Sequence, residues 1–128
     1  METYQTAKNI ASLELYYIDG LASVRDAIEL MKSKHVEALI IQKRNDQDAN
    51  GIITLTDVLD KVVVSNRTLD EVSVYEIMTK PTLSIPSHLN IKYIPRLLNR
   101  LHIRQAPVEE NGKYIGMVDF KQLLFSIK

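Results

Sequence analysis

Apolar and polar residues along the first half of the chain follow two alternating patterns. Short apolar runs rich in Ile, Leu and Tyr predict strands, and apolar residues spaced three and four apart predict helices. The predicted strands are residues 13–18, 37–42 and 51–55, and the predicted helices are residues 23–35 and 54–64. Ser23 and Asp26 have the spacing of a capping box at the start of the first helix. Turn residues separate these segments at Asp19-Gly20 and over residues 44–50. The first half therefore predicts the order β-α-β-β-α.

The second half repeats this order after a polar connector. Residues 74–78 predict one helical turn that leads into the repeat. The predicted strands are residues 82–85, 103–109 and 114–118, and the hairpin turn signal Asn111-Gly112 joins the last two. The predicted helices are residues 90–101, with Asn90 as its cap, and residues 120–127. Pro95 lies inside the first of these helices, where a proline removes a backbone donor and costs about 3 kcal/mol. We therefore expect a kink, or a helix that starts one turn late.

Two matching segments, residues 51–57 and 116–122, show that the order arises by internal duplication. Each runs from a glycine through two apolar residues to a polar residue that can cap a helix. The duplication predicts a first repeat over residues 1–73, with an N-terminal lead-in and the connector, and a second repeat over residues 74–128. Each half has too little core to be stable alone, so we expect the two sheets to pack together about a pseudo-two-fold axis, with clefts between the halves.

These residues resemble a tandem pair of CBS domains, also called a Bateman module. Residues 51–57 match the family's glycine–apolar–apolar–Ser/Thr–x–x–Asp signature. Residues 76–81 resemble the lead-in of many second CBS repeats, and residues 106–112 resemble the strand and turn before the last strand. The resemblance covers nearly the whole chain. It implies an α+β fold of two β-α-β-β-α repeats packed with pseudo-two-fold symmetry, and a disc-like homodimer of two modules.

Composition narrows the function classes. Sixteen basic and sixteen acidic residues give zero net charge, which argues against nucleic-acid binding. Cysteine is absent, so disulfides and thiolate chemistry are excluded. No apolar run reaches the eighteen or so residues of a membrane span, so we expect a cytoplasmic protein without a membrane segment. The three histidines lack metal-ligand spacing and no nucleophile motif occurs, so we expect neither a metal nor an enzyme.

Thr54 and Asp57 have two compatible interpretations. Their spacing is that of a capping box, in which the two side chains satisfy backbone N–H groups at a helix start. The resemblance implies in addition that Asp57 accepts the hydroxyls of a ribose and that Thr54 holds a ribose or phosphate oxygen. The resemblance also implies that four further residues complete the cleft around Thr54 and Asp57: Thr79, Ile103, Arg104 and Gln105. Among these, Thr79 and Ile103 would enclose an adenine, and Arg104 would pair with a phosphate.

The second copy departs from the signature. Asp119 replaces the Ser/Thr and Gln122 replaces the aspartate, so a phosphate would meet a negative charge and a ribose would lose its carboxylate. At the cleft of this second copy the resemblance places Glu37, a further negative charge. We therefore expect one nucleotide site rather than two.

The leading hypothesis is a regulatory module that binds AMP, ADP or ATP in one cleft between the repeats and passes the change to an unknown partner protein. No catalytic cofactor is expected. The alternative is a ligand-free dimerisation or interaction module that has kept only the fold. The altered residues of the second copy favour this alternative, and the intact Thr54 and Asp57 oppose it.

Overall fold

The structure, a computed structural model, describes residues 4–127 and divides into two compact units. The central unit is Tyr16–Thr82, and the terminal unit joins the chain up to Leu15 with the chain from Leu83 on. The helices are α1 Ala7–Ile10, α2 Val24–Lys34, α3 Leu55–Val58, α4 Val74–Ile77, α5 Ile94–Arg100 and α6 Phe120–Phe125. The strands are β1 Tyr17–Ile18, β2 Ala38–Ile41, β3 Gly51–Thr54, β4 Ile85–Pro86, β5 Gln105–Glu110 and β6 Lys113–Asp119.

The central unit contains a three-stranded sheet in the order β1-β2-β3. Strand β2 pairs parallel with β1 and antiparallel with β3. Helix α2 connects the two parallel strands and begins at the predicted Ser23–Asp26 capping box. Helix α3 continues as a π-helix over Leu59–Val63, which places the end of this helical segment one residue before the predicted one. The core is filled by β-branched and leucine side chains such as Leu39 and Ile53, which have no exposed surface.

The terminal unit repeats this sheet as β4-β5-β6, with β4 parallel to β5 and β5 antiparallel to β6. Asn111 and Gly112 form the predicted hairpin turn, and both have positive φ. Helix α5 starts late, as one of the two predicted outcomes: Asn90 caps a 3-10 turn at Ile91–Tyr93, and Pro95 lies in the first turn of α5, where its missing N–H has no helical partner to lose. The α+β fold of two β-α-β-β-α repeats is confirmed.

Several predicted strands are longer than the observed ones. Of residues 13–18 only Tyr17 and Ile18 join the sheet, and Leu13 is 85% exposed. Of residues 82–85 only Ile85 pairs, together with Pro86. Strand β5 begins at Gln105, two residues after the predicted start. His102 adopts a left-handed conformation (φ 56°), and the Ile103 N–H donates to the carbonyl of Leu98 in α5 at 3.0 Å instead of to a strand. Apolar runs therefore located the strands, but hydrogen-bonding partners set their lengths.

The helical turn that precedes each repeat folds onto the sheet of the other repeat. In the central unit the N–H groups of Val74 and Tyr75 donate to the carbonyls of Ala22 (2.8 Å) and Gly20 (2.9 Å). In the terminal unit the N–H of Lys8 donates to the carbonyl of Ser87 at 3.0 Å in the same way. The boundary of the compact units thus lies nine residues beyond residue 73. The division into repeats at 1–73 and 74–128 concerns the duplication of the sequence and stays a prediction.

Candidate functional site

Thr54 and Asp57 lie at the junction of β3 and α3. The Thr54 Oγ1 accepts the N–H of Asp57 at 3.2 Å. In return, the Asp57 Oδ2 accepts the Thr54 N–H at 2.9 Å and the Thr54 hydroxyl at 3.1 Å. This reciprocal pair is a capping box, which satisfies two of the N–H groups that a helix start leaves without a helical partner. The structural interpretation of the signature is therefore confirmed.

The other oxygen of the Asp57 carboxylate meets Lys61 one helical turn later. Lys61 Nζ lies 3.3 Å from Asp57 Oδ1 and donates to the carbonyl of Ile77 at 2.9 Å. The Asp57 side chain is 14% exposed. An ionised carboxylate offers about four acceptor positions. Three are occupied here, so one hydroxyl can bind at Oδ1 without any rearrangement, whereas a second would displace Lys61 or the Thr54 hydroxyl.

Lys61 was not among the residues predicted from the sequence. Its signal was the spacing of a lysine four residues after an aspartate on one helix, which brings opposite charges together. The spacing alone gives no reason to prefer this pair over other surface pairs.

Thr79 lies in the same unit as Thr54 and Asp57, beside β3. Its N–H and carbonyl exchange two hydrogen bonds of 2.9 Å with Ile52. The N–H of Thr79 is therefore occupied, and Thr79 can offer a ligand its exposed side chain and the second lone pair of its carbonyl oxygen. Gly51 allows this close approach, since a Cβ there would lie 2.8 Å from the Met78 sulfur and 3.2 Å from the Thr79 carbonyl oxygen.

Ile103, Arg104 and Gln105 lie together in the terminal unit, at the start of β5. Gln105 opens the strand opposite Asp119, and Ile103 packs against the core of this unit. The Arg104 guanidinium carbon lies 5.5 Å from the centroid of the Phe120 ring, a cation–π contact. Within residues 4–127 no carboxylate forms an ion pair with Arg104. Its guanidinium keeps the hydrogen-bonding edge that a phosphate would need.

The second copy of the signature forms a cap with different chemistry. Asp119 Oδ1 accepts the N–H groups of Lys121 at 2.8 Å and Gln122 at 3.2 Å, and the Gln122 side-chain oxygen accepts the Asp119 N–H at 2.7 Å. The carboxylate has moved from the third helical position to the cap, and an amide has taken its place. Glu37 is exposed, and its backbone carbonyl accepts the N–H of Leu55.

Residues 4–127 contain no group of three or more His, Cys, Asp or Glu side chains placed to hold a metal ion. Over the same residues, every helix is too short or too polar to cross a membrane.

The fold and the two caps define the class of protein: a tandem pair of β-α-β-β-α repeats, each with a capped strand-to-helix junction. The family profile of the CBS domain matches residues 7–64 and 74–128, so this chain belongs to the CBS-domain family. A pair of CBS domains is a regulatory module.

Relatives agree with this assignment. An uncharacterized protein of Methanopyrus kandleri is 30% identical over 95 residues, covering 73% of this chain and 48% of its own length. A mitochondrial CBS domain-containing protein of Arabidopsis thaliana is 30% identical over 108 residues, covering 82% of this chain and 52% of its own. This chain thus spans about half the length of each. The crystal structure of a hexameric CBS-CP12 protein from bloom-forming cyanobacteria superposes with a TM-score of 0.93 at 34% identity, covering 98% of this chain and 69% of that one.

Proposed function

We propose that this chain is a regulatory module that binds an adenosine nucleotide (AMP, ADP or ATP) through Thr54 and Asp57. The observation that carries the proposal is the carboxylate of Asp57, which caps α3 with one oxygen and keeps an acceptor position on the other. A ribose hydroxyl can donate to that position while the cap stays formed. Hydrogen bonds to a charged acceptor contribute about 1.5–3 kcal/mol, enough to discriminate a ribose from a deoxyribose.

The remaining residues of the proposed site are those that the family resemblance implies, and one of them, Arg104, is a cation. Arg104 is suited to a phosphate because a guanidinium donates two parallel hydrogen bonds. Thr79 and Ile103 would contact the adenine, and Gln105 would donate to or accept from its polar edge. If the nucleotide binds one of two conformations more tightly through these groups, it would shift the protein toward that conformation, and a partner protein would respond to the shift. A cytoplasmic location also stays a prediction.

A second candidate function, a ligand-free dimerisation or interaction module, is favoured by one observation. Leu55, Leu59 and Val63 follow one another at four-residue spacing and are 41%, 55% and 52% exposed. An apolar helical stripe of this kind is typical of a surface that another chain covers. The name of the cyanobacterial relative describes it as hexameric, which supports self-association here. We propose a homodimer as the smallest assembly, and sedimentation of the parent protein at micromolar concentration measures it.

Titration calorimetry with AMP, ADP, ATP and adenosine distinguishes the two functions. Asp57→Asn is the informative variant, because its amide oxygen can still accept the Thr54 N–H and so preserves the cap. We expect one nucleotide to bind the parent and to bind Asp57→Asn roughly 10–100-fold more weakly. Arg104→Gln should weaken ATP binding more than adenosine binding.

Asp119→Asn is the matched control, since it changes the cap of the second copy and should leave the affinity unchanged. If none of the four ligands binds the folded parent at millimolar concentration, or if Asp57→Asn and Asp119→Asn weaken binding equally, the nucleotide proposal is wrong. The interaction module would then be the better description.

A further inference from the structure

A cavity of about 630 Å³ opens in the central unit, away from Thr54 and Asp57. It lies beyond the carboxyl ends of the parallel strands β1 and β2, where Asp19 and Gly20 follow β1 and Lys43 and Arg44 follow β2. Strand β3 begins at this end and reaches Thr54 three residues later, roughly 10 Å away at strand spacing. The cavity is therefore separate from Thr54 and Asp57, while Met78 and Lys80 of its lining flank Thr79 in the chain. Its volume is in the range of small-molecule sites.

Asp48 forms ion pairs with two of the basic residues that line this cavity. Its Oδ1 lies 2.6 Å from Lys80 Nζ, and its Oδ2 accepts the backbone N–H of Arg44 at 2.9 Å and the Arg44 Nε at 3.1 Å. The ammonium of Lys80 and then the hydrogen bonds of Arg44 hold the pKa of Asp48 well below its usual range. Asp48 thus stays ionised and its charge offsets that of Lys80, while the two terminal amino groups of Arg44 form no contact with Asp48.

The remaining charges of the lining are unequal. Asp19 is the other carboxylate, and one of its oxygens accepts the Leu21 N–H at 2.8 Å. Lys43 is exposed and forms no ion pair with any of residues 4–127. The lining holds three cations (Lys43, Arg44 and Lys80) and two carboxylates, which leaves a net positive charge at the end of β2.

The corresponding position of the terminal unit is occupied by an ion pair. Glu110, the last residue of β5, corresponds to Lys43, because Val108 pairs with Gly116 as Ile41 pairs with Gly51. Glu110 accepts Lys8 Nζ and the Ser87 hydroxyl, each at 3.1 Å.

In the central unit the residues equivalent to Lys8 and Ser87 are Tyr75 and Gly20, since the Tyr75 N–H donates to the Gly20 carbonyl as that of Lys8 donates to Ser87. Where the terminal unit has a closed ion pair, the central unit thus has an aromatic ring, a glycine and a cation around open space. Tyr75 is 53% exposed and Leu21 is 79% exposed, so the apolar wall of the cavity faces solvent.

We propose that this cavity binds a small organic anion that carries an acid group, carboxylate or phosphate, on a flat apolar body. The acid pairs with Lys43 and with the terminal amino groups of Arg44, which form charge-assisted hydrogen bonds. The apolar body lies against Tyr75 and Leu21, which removes their exposed surface from water. Neither the pairing of the acid group nor the apolar contact requires a nucleotide at Asp57.

Backbone-amide NMR titrations with phenyl phosphate, benzoate and inorganic phosphate test this site. The amides of Gly20, Leu21 and Gln42 report on the cavity, and those of Thr54 and Asp57 report on the other end of the sheet. For ligands of this size we expect dissociation constants of about 1–10 mM for phenyl phosphate or benzoate and weaker binding of inorganic phosphate. Lys43→Glu, which gives the terminal unit's charge to this position, should weaken binding at least tenfold.

Three further variants distinguish a specific binding site from non-specific electrostatic attraction. Lys113→Glu removes an exposed lysine of the terminal unit and should leave the constants unchanged, as should Asp57→Asn. Tyr75→Ala should abolish the preference for the aromatic ligands while inorganic phosphate binds as before. If the cavity amides do not shift at 20 mM ligand, if Lys43→Glu and Lys113→Glu act equally, or if inorganic phosphate binds as tightly as phenyl phosphate, the proposal is wrong.

Discussion

The central and terminal units use the same fold to cap the helix after the third strand, but with different side chains. In the central unit a threonine caps the helix and an aspartate stands at the third helical position, whereas in the terminal unit an aspartate caps the helix and a glutamine stands there. In both units the side chains satisfy the same backbone N–H groups. The fold therefore requires a cap at this junction, and it does not require a carboxylate at residue 57.

This difference bears on function. If Asp57 served the helix alone, an amide would suffice, because Gln122 accepts the corresponding N–H at 2.7 Å. The carboxylate at residue 57 offers acceptor capacity beyond the cap and charge that attracts Lys61. The comparison of the two copies thus supports the ligand role of Asp57 more strongly than the signature does by itself.

The largest difference in stability that we expect between the units concerns the glycine that opens each signature, Gly51 in the central unit and Gly116 in the terminal unit. A Cβ at Gly116 would lie 2.6 Å from the Ser12 carbonyl oxygen and 3.0 Å from the Ala11 Cβ. A Cβ at Gly51 would lie 2.8 Å from the flexible Met78 sulfur and no nearer than 3.2 Å to backbone, at the Thr79 carbonyl oxygen. Backbone cannot yield as a methionine side chain can. We expect Gly116→Ala to lower the free energy of unfolding by about 3 kcal/mol and Gly51→Ala by about 1 kcal/mol.

Urea denaturation measures both values. Gly112→Ala is a useful control, because its Cβ would meet no atom within 4 Å and the cost would come only from its positive φ. Equal losses for Gly51→Ala and Gly116→Ala would show that the lead-in segments yield equally in the two units.

A second comparison uses pH. The pKa of Asp48 is lowered by Lys80 and Arg44, and the pKa of Glu110 is lowered by Lys8 and Ser87. A carboxylate with a lowered pKa stabilises the fold above its ordinary value, here 3.8 and 4.5, and loses that contribution as the pH falls through the lowered value. We therefore expect the parent to lose stability below about pH 4.

Thermal unfolding between about pH 7 and pH 2 measures this contribution. Asp48→Asn should unfold at a lower temperature than the parent at pH 7, and the difference should shrink as the pH falls. Glu110→Gln should behave in the same direction with a smaller change, since the pKa of Asp48 is displaced further. A constant difference between parent and Asp48→Asn across this range would contradict the assignment of Asp48 as the titrating group.

The sequence predicted the units well where one residue determines the local structure. The caps at Ser23, Thr54 and Asn90, the late start caused by Pro95 and the hairpin at Asn111 all follow from local chemistry, and all are confirmed. Lys61 and the cavity beside Lys43 depend on which distant residues a side chain meets, such as Ile77 for Lys61 and Tyr75 for the cavity. Spacing along one chain carries no information about such contacts.

The smallest expected effect is that of Lys61, and it tests how the two caps differ in a single contact. The residue equivalent to Lys61 in the terminal unit is Ser126, whose hydroxyl donates to the Leu123 carbonyl of its own helix at 2.7 Å. Lys61→Ser would therefore give the central unit the terminal unit's residue. Because Lys61 is 47% exposed, its ion pair with Asp57 is screened by solvent, and we expect urea denaturation to show a loss of about 0.5 kcal/mol. The same variant frees a second acceptor position on Asp57 Oδ1, so a nucleotide that places both ribose hydroxyls on this carboxylate should bind two- to threefold more tightly. Weaker binding in Lys61→Ser would instead assign the ammonium to the ligand's phosphate, and an unchanged affinity would show that the ribose and Lys61 share Oδ1 without competition.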